Sequence, residues 1–124
     1  MKGKIWGKSE TLLKTPIIEI HKLSINPNSY CSLHKHNFKW NAFIVVSGTL
    51  YISVHKNDYD LVDVTTLEKD QITTIPPGEF HKFHTLNSQV ECFEIYYPEL
   101  LSEDIIRKTV GGRQIILKEN ARRR

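Results

Sequence analysis

"HKHNFKWNAFIVVSGTLYISVH", residues 34–55, carries two signals at once. Its second half is a sheet pattern. Residues 42–47 form a nearly continuous apolar run, Gly48 breaks it, and residues 49–55 alternate. Leu50, Ile52 and Val54 share one face, while Tyr51, Ser53 and His55 share the other. Its first half holds His34 and His36. On extended backbone, residues two apart point the same way, about 7 Å apart, so two imidazoles can converge on one ion.

The same sheet grammar extends in both directions. "IIEIHKLSI" (17–25) is rich in β-branched residues and stops at the turn signal "NPNS"; "YCSLH" follows. Downstream come "KNDYD" as a hairpin turn, "LVDVTTL" (61–67), "QITTIP" (71–76), the proline-glycine corner "PPGEFH", "KFHTL" and "VECFEIYY" (90–97). This predicts about eight short strands at regular spacing. The only helical expectation is one or two turns at "LLSEDIIRK" (100–108). Many short strands with Gly, Pro and Asn corners predict an all-β sandwich or barrel, and eight strands suit a jelly roll.

The totals bound the function. A chain of 124 residues, 40% hydrophobic and 25% charged, predicts one soluble domain over residues 1–124. The net charge of +3 comes from Arg122–Arg124; the rest balances at 14 basic and 14 acidic residues. A neutral body argues against nucleic-acid binding, and residues 119–124 read as a flexible basic tail. No apolar run reaches the roughly 18 residues of a membrane span. "MKGKIWGKSE" lacks the apolar core of a secretory signal. Cys31 and Cys92 sit inside strand-like runs and read as buried thiols of a cytoplasmic protein.

Two separated segments supply the chemistry. His34 and His36 come from the first, and Asn41, at the start of the next apolar strand, can reach their face. In the second, Pro76, Pro77 and Gly78 turn the chain so that His81 brings a third imidazole from another strand. Three histidines from two segments form a credible metal cradle.

These segments resemble the cupin motifs. "HKHNFKWNAFIVVSG" is similar to the first, H-x-H followed by a Glu and then a Gly; "DQITTIPPGEFHKFHT" is similar to the second, G-x5-P-x-G-x2-H-x3-N. The resemblance implies a double-stranded β-helix whose metal ligands fall on His34, His36, Asn41 and His81. Three positions depart: Asn41 stands for the Glu, Asp70 for the opening Gly and Thr85 for the closing Asn. The similarity runs furthest to the cupin domain of type II mannose-6-phosphate isomerases. "KIWGK" resembles their R-P-W-G, "IVVSGTL" their I-V-V-S-G-T, and "FEIYYPELLSEDIIRK" their I-E-V-Q-x-G-x-Y-L-G-E-D-D-I-V-R. Those enzymes often carry a nucleotidyltransferase domain ahead of the cupin. Residues 1–124 hold none, so guanylyl transfer is not expected of them.

Replacing Glu by Asn41 leaves a divalent ion among neutral ligands, with its full +2 charge. Zn²⁺, Ni²⁺ and Fe²⁺ still bind well through three imidazoles, while a hard ion such as Mn²⁺ loses more. Alternatively, Asn41 hydrogen-bonds a neighbour and leaves a three-histidine site. The resemblance implies aldose–ketose isomerisation of a sugar phosphate. Arg107 matches the Arg of D-I-V-R and is the expected phosphate contact, with Lys39 a weaker one. Glu79 and His84 are the expected proton shuttles. Glu94, on the face of Val90 and Cys92, belongs at a barrel mouth or needs a buried partner. The C-terminus keeps only Gly112-Arg113 of the isomerases' D-x-Y-G-R. Alternatives are a three-histidine dioxygenase and a non-catalytic sugar- or metabolite-binding cupin. The expected partners are a small anionic metabolite such as a sugar phosphate and a second copy, giving a homodimer.

Overall fold

Two antiparallel sheets close on one core because apolar residues alternate inward along most strands. The computed structural model describes residues 2–56, 61–99 and 106–114. The strands are β1 (Lys2–Lys4), β2 (Gly7–Lys14), β3 (Glu19–Ile25), β4 (Trp40–Ser47), β5 (Leu50–His55), β6 (Val62–Leu67), β7 (Ile72–Ile75), β8 (Phe80–His84) and β9 (Val90–Tyr97). One sheet has the order β1-β2-β3-β9-β4-β7, the other β6-β5-β8. Between them lie Leu23, Phe43, Ile52, Phe83, Val90 and Cys92, none more than 4% exposed. Both cysteines are free, as the sequence predicted.

The expected strands fall within a residue or two of the observed ones, with three differences. The N-terminal strands β1 and β2 were not foreseen: their sequence lacks clean alternation, and β2 is exposed along most of its length. It is a strand because its backbone pairs with β3 from Gly7↔Ile25 to Lys14↔Glu19. "YCSLH" is not a strand; it meets β8 at the isolated bridges Tyr30↔His84 and His34↔His81 and through Cys31 N–H, which donates to the Phe83 carbonyl at 3.2 Å. In β6 the alternation is present, yet only Leu67 is buried; Val62 and Val64 face outward because Thr65 and Asp63 sit opposite the inward Ile52 and Val54.

No helix occurs among the described residues. Of the helical turn expected at 100–108, residues 100–105 lie outside the described residues and 106–108 are irregular. The hairpin tip at 57–60 and the basic tail at 119–124 also lie outside them. Among the described residues, no helix is long and apolar enough to cross a membrane.

The backbone zips the two motif segments together. His34 N–H donates to the His81 carbonyl at 3.0 Å and His81 N–H to the His34 carbonyl at 2.8 Å. Gly78, with φ of +88°, turns the proline corner so that its N–H donates to the His36 carbonyl at 2.7 Å. Both histidine-bearing segments are thus held in register at one end of the barrel.

Candidate metal centre

His81 and Phe83 point inward from β8, and His34 and His36 project from the loop bridged to it. The nitrogens of His34, His36 and His81 lie within 4.8 Å of one another. Ring centroids are 4.6 Å apart for His34–His81 and 5.2 Å for His34–His36. Asn41, 1% exposed at the start of β4, completes the group.

Hydrogen bonds decide which ring nitrogen faces the centre. His81 Nδ1 lies 3.0 Å from the Glu79 carbonyl, and His34 Nδ1 lies 2.8 Å from the Ser32 carbonyl. A carbonyl only accepts, so both Nδ1 atoms carry the proton, and both Nε2 atoms offer lone pairs. Burial, before any other cause, lowers the pKa of His81 and keeps its ring neutral. His81 Nε2 lies 3.2 Å from Asn41 Oδ1. The Asn41 amide is oriented by its Nδ2, which donates to the Ile95 carbonyl at 3.3 Å. Two acceptors therefore face each other across a gap that two ligands of one cation would span. His36 Nε2 is buried and lacks a hydrogen-bond partner among the described residues. Burial first, then the neighbouring His34 and His81, lowers the His36 pKa to about 4. An orphaned nitrogen, two fixed tautomers and two facing lone pairs fit a divalent transition metal.

The other residues singled out in the sequence lie elsewhere. His84 is on the opposite face of β8 from His81, stacked on Tyr51 with centroids 4.9 Å apart. The Glu79 side chain turns to Lys56, with Nζ and Oε1 3.5 Å apart, and only its carbonyl serves the centre. Arg107 is exposed in the segment 106–114. Lys39 stands at the rim, with Nζ 3.8 Å from Glu19 Oε1 and 5.0 Å from the Tyr96 ring centroid.

Glu94 brings a carboxyl inside the barrel. It points inward from β9 beside β4, where it pairs with Phe43, and is 9% exposed. Burial raises its pKa, while Tyr96, His21, His34 and Asn41 pull it down. Tyr96 also sets its ring edge against His36, with centroids 4.9 Å apart. His21 was not singled out from the sequence. Its Nε2 is 3.0 Å from Glu19 Oε2 and its Nδ1 3.0 Å from Thr11 Oγ1. The available signal was its alternation with Leu23 and Ile25 on β3. Glu94, Tyr96, His21 and His34 border a cavity of about 280 Å³.

Comparison with known proteins places this geometry in context. Residues 3–110 match the family described as mannose-6-phosphate isomerase C-terminal. The chain is 29% identical over 102 residues to a mannose-1-phosphate guanylyltransferase of Sinorhizobium fredii, covering 82% of this chain and 19% of that protein. It is 26% identical over 104 residues to the alginate biosynthesis protein AlgA of Pseudomonas syringae pv. tomato, covering 83% and 20%. The chain thus spans about a fifth of the length of the curated relatives it matches. Among solved structures, KdgF from Halomonas sp. aligns with a TM-score of 0.68 at 12% identity, over 81% of this chain and 87% of that one. The Schizosaccharomyces pombe Cnp3 cupin domain aligns with a TM-score of 0.67 at 12% identity, over 80% and 69%. These structural likenesses establish the cupin fold.

Proposed function

Since the chain belongs to the mannose-6-phosphate isomerase C-terminal family and has the cupin fold, we propose that it is a transition-metal-dependent isomerase interconverting aldose and ketose sugar phosphates. The observation that carries this reading is the metal cradle of His34, His36, His81 and Asn41 with a buried carboxyl, Glu94, beside it. The cradle would hold Zn²⁺, Ni²⁺, Fe²⁺ or Mn²⁺, and the bound ion supplies polarisation of the sugar carbonyl.

Isomerisation also needs a side chain that takes a proton from the carbon beside the carbonyl and returns it to the former carbonyl carbon. Glu94 is proposed for this role in place of Glu79 and His84, because its side chain faces the barrel interior, whereas the Glu79 carboxyl turns to Lys56 and the His84 ring stacks on Tyr51. Burial raises its pKa toward the range where a carboxyl both accepts and releases protons. Arg107 remains the proposed phosphate contact, as an exposed guanidinium. A homodimer belongs to the same reading: Leu12 and Leu13 on β2 and Ile17 in the turn after it, 45–65% exposed, are the apolar surface a second copy would cover.

The test follows D-mannose 6-phosphate by NMR with each of the four ions. Conversion to D-fructose 6-phosphate is expected, with Glu94→Gln lowering kcat by about a hundredfold or more and moving KM little. Absence of turnover with all four ions refutes the reading. Oxygen uptake by the Fe²⁺ form without isomerisation selects the dioxygenase alternative.

A further inference from the structure

The larger sheet is apolar on both of its faces. Its inner face builds the core. On its outer face Leu13, Ile20, Ile95 and Ala42 form a row across β2, β3, β9 and β4. Phe93, Ile44 and Ile72 form the next row across β9, β4 and β7. Trp40 and Tyr97 extend the patch at one end, stacked with centroids 6.4 Å apart. Leu13 and Ile72, at its two sides, are 45% and 57% exposed. Strand β4 shows the pattern most fully: Phe43 and Val45 point into the core, Ala42 and Ile44 away from it. Apolar residues on both sides of a strand are the pattern of a sheet covered on both sides. A contiguous apolar patch of this kind marks an interaction surface.

Size and charge choose the occupant. The face spans five strands, β2-β3-β9-β4-β7, and β4 and β9 are each eight residues long. At about 4.8 Å between strands and about 3.4 Å per residue, it measures roughly 24 by 27 Å, or about 650 Å². A stable interface takes roughly 800 Å² from each partner, which the relief of the side chains on such a face brings within reach. The polar end carries Lys8 and Glu10 on β2, Lys22 on β3 and Glu91 on β9, two charges of each sign. Glu10 pairs with Lys22 across β2 and β3, and Ser24 Oγ donates to Glu91 Oε1 at 2.9 Å. A strongly charged partner finds no excess counter-charge there, whereas a patch with both signs complements a copy of itself.

We infer that the outer face of the six-stranded sheet is the interface through which two copies of this chain pair, sheet against sheet, with Ile44 and Phe93 near its centre. The inference rests on the homodimer of the reading above and moves its centre from the β2–β3 turn to β9 and β4. Leu13 belongs to this face, and Leu12 and Ile17 lie at its margin. The two strands that the pairing covers are those that carry Asn41 and Glu94 on their inner side.

Sedimentation equilibrium of the full chain, from about 1 to 100 µM, measures the mass directly. A dimer is expected. Leu13→Lys and Ile72→Lys alter exposed side chains that the core does not need, and each should raise the dissociation constant by about tenfold or more. Ile44→Lys should raise it by about a hundredfold. Val64→Lys, at a position 55% exposed on the smaller sheet, should leave the dimer intact. Circular dichroism of each variant separates loss of pairing from loss of fold. A monomer at every concentration overturns the inference and the homodimer together, and leaves the isomerase reading to its own assay. A dimer that persists in Ile72→Lys and Ile44→Lys but is lost in Leu12→Lys overturns the inference while the homodimer stands. A dimer lost only in Val64→Lys does the same. A dimer weakened in the sheet-face variants, in a protein without isomerase turnover, refutes the isomerase reading and leaves the interface standing.

Discussion

Asn41 decides how much charge an ion held by the three histidines would keep. With three neutral imidazoles and an amide, a divalent ion retains its +2 charge; a carboxylate at this position would reduce it to +1. Asn41→Glu is therefore expected to raise Mn²⁺ affinity by at least about tenfold and to change Zn²⁺ affinity less, measured by competition with a chromogenic chelator. Without metal the same change places a second buried carboxyl beside Glu94, and urea denaturation of the metal-free variant should show a loss of about 1–3 kcal/mol. His36 adds a pH dependence. Its pKa of about 4 lies below the ordinary imidazole value of 6.5, so the unfolded chain binds more protons between these values. Stability of the metal-free protein should be fully present above pH 6.5 and fall as the pH drops toward 4, and His36→Asn should flatten that slope. The three histidines and Asn41 were legible because two motifs fix their spacing. Glu94 and His21 were less so, because each meets the cluster only across a strand pairing that no local spacing encodes.

At the level of strands and turns, the departures from the cupin motifs have physical explanations. Asp70 stands where the pattern has glycine, and its φ is +69°, in the left-handed region that Asp tolerates better than most side chains. Its N–H donates to the Val45 carbonyl at 2.8 Å and ties the turn to β4. Asp70→Gly should be neutral to stabilising by up to about 1 kcal/mol, whereas Asp70→Val should destabilise by more, in parallel urea titrations. Thr85 stands for the closing Asn and does its bridging work from a buried position: Oγ1 donates to the Asn26 carbonyl at 2.6 Å and accepts from Ser29 N–H at 3.1 Å. Gly48 keeps the family residue for a reason that strand patterning alone did not supply. Its φ is +83°, and a Cβ there would lie 2.2 Å from the Gln89 carbonyl oxygen. Gly48→Ala should cost at least about 2 kcal/mol. Strands β3 to β9 were readable because alternation and Gly/Pro corners survive locally. Strands β1 and β2 were not, since their membership rests on backbone pairing with β3 and not on burial.

Across the whole molecule, two observables report on different parts of the barrel. Cys31 and Cys92 lie in the core, 8% and 0% exposed, and burial raises both thiol pKa values, that of Cys31 to about 11. A thiol reagent at neutral pH should therefore react only as fast as the barrel opens, and should count two thiols immediately in denaturant. An ion would act at the histidine cradle, next to the cavity that Cys31 borders. The cradle joins the loop before β4, and Asn41 on β4, to His81 on β8, so an ion there would tie the two sheets together. Zn²⁺ at a hundredfold over its dissociation constant adds about 2.7 kcal/mol, a rise in Tm on the order of 10 °C for a domain of this size. The same addition should slow thiol modification by about a hundredfold where global opening limits it, because the opened state is depopulated by that factor. His81→Ala should erase both effects. If Zn²⁺ raises Tm but leaves the thiol rate unchanged, the cysteines are reached through a local opening that the cradle does not restrain.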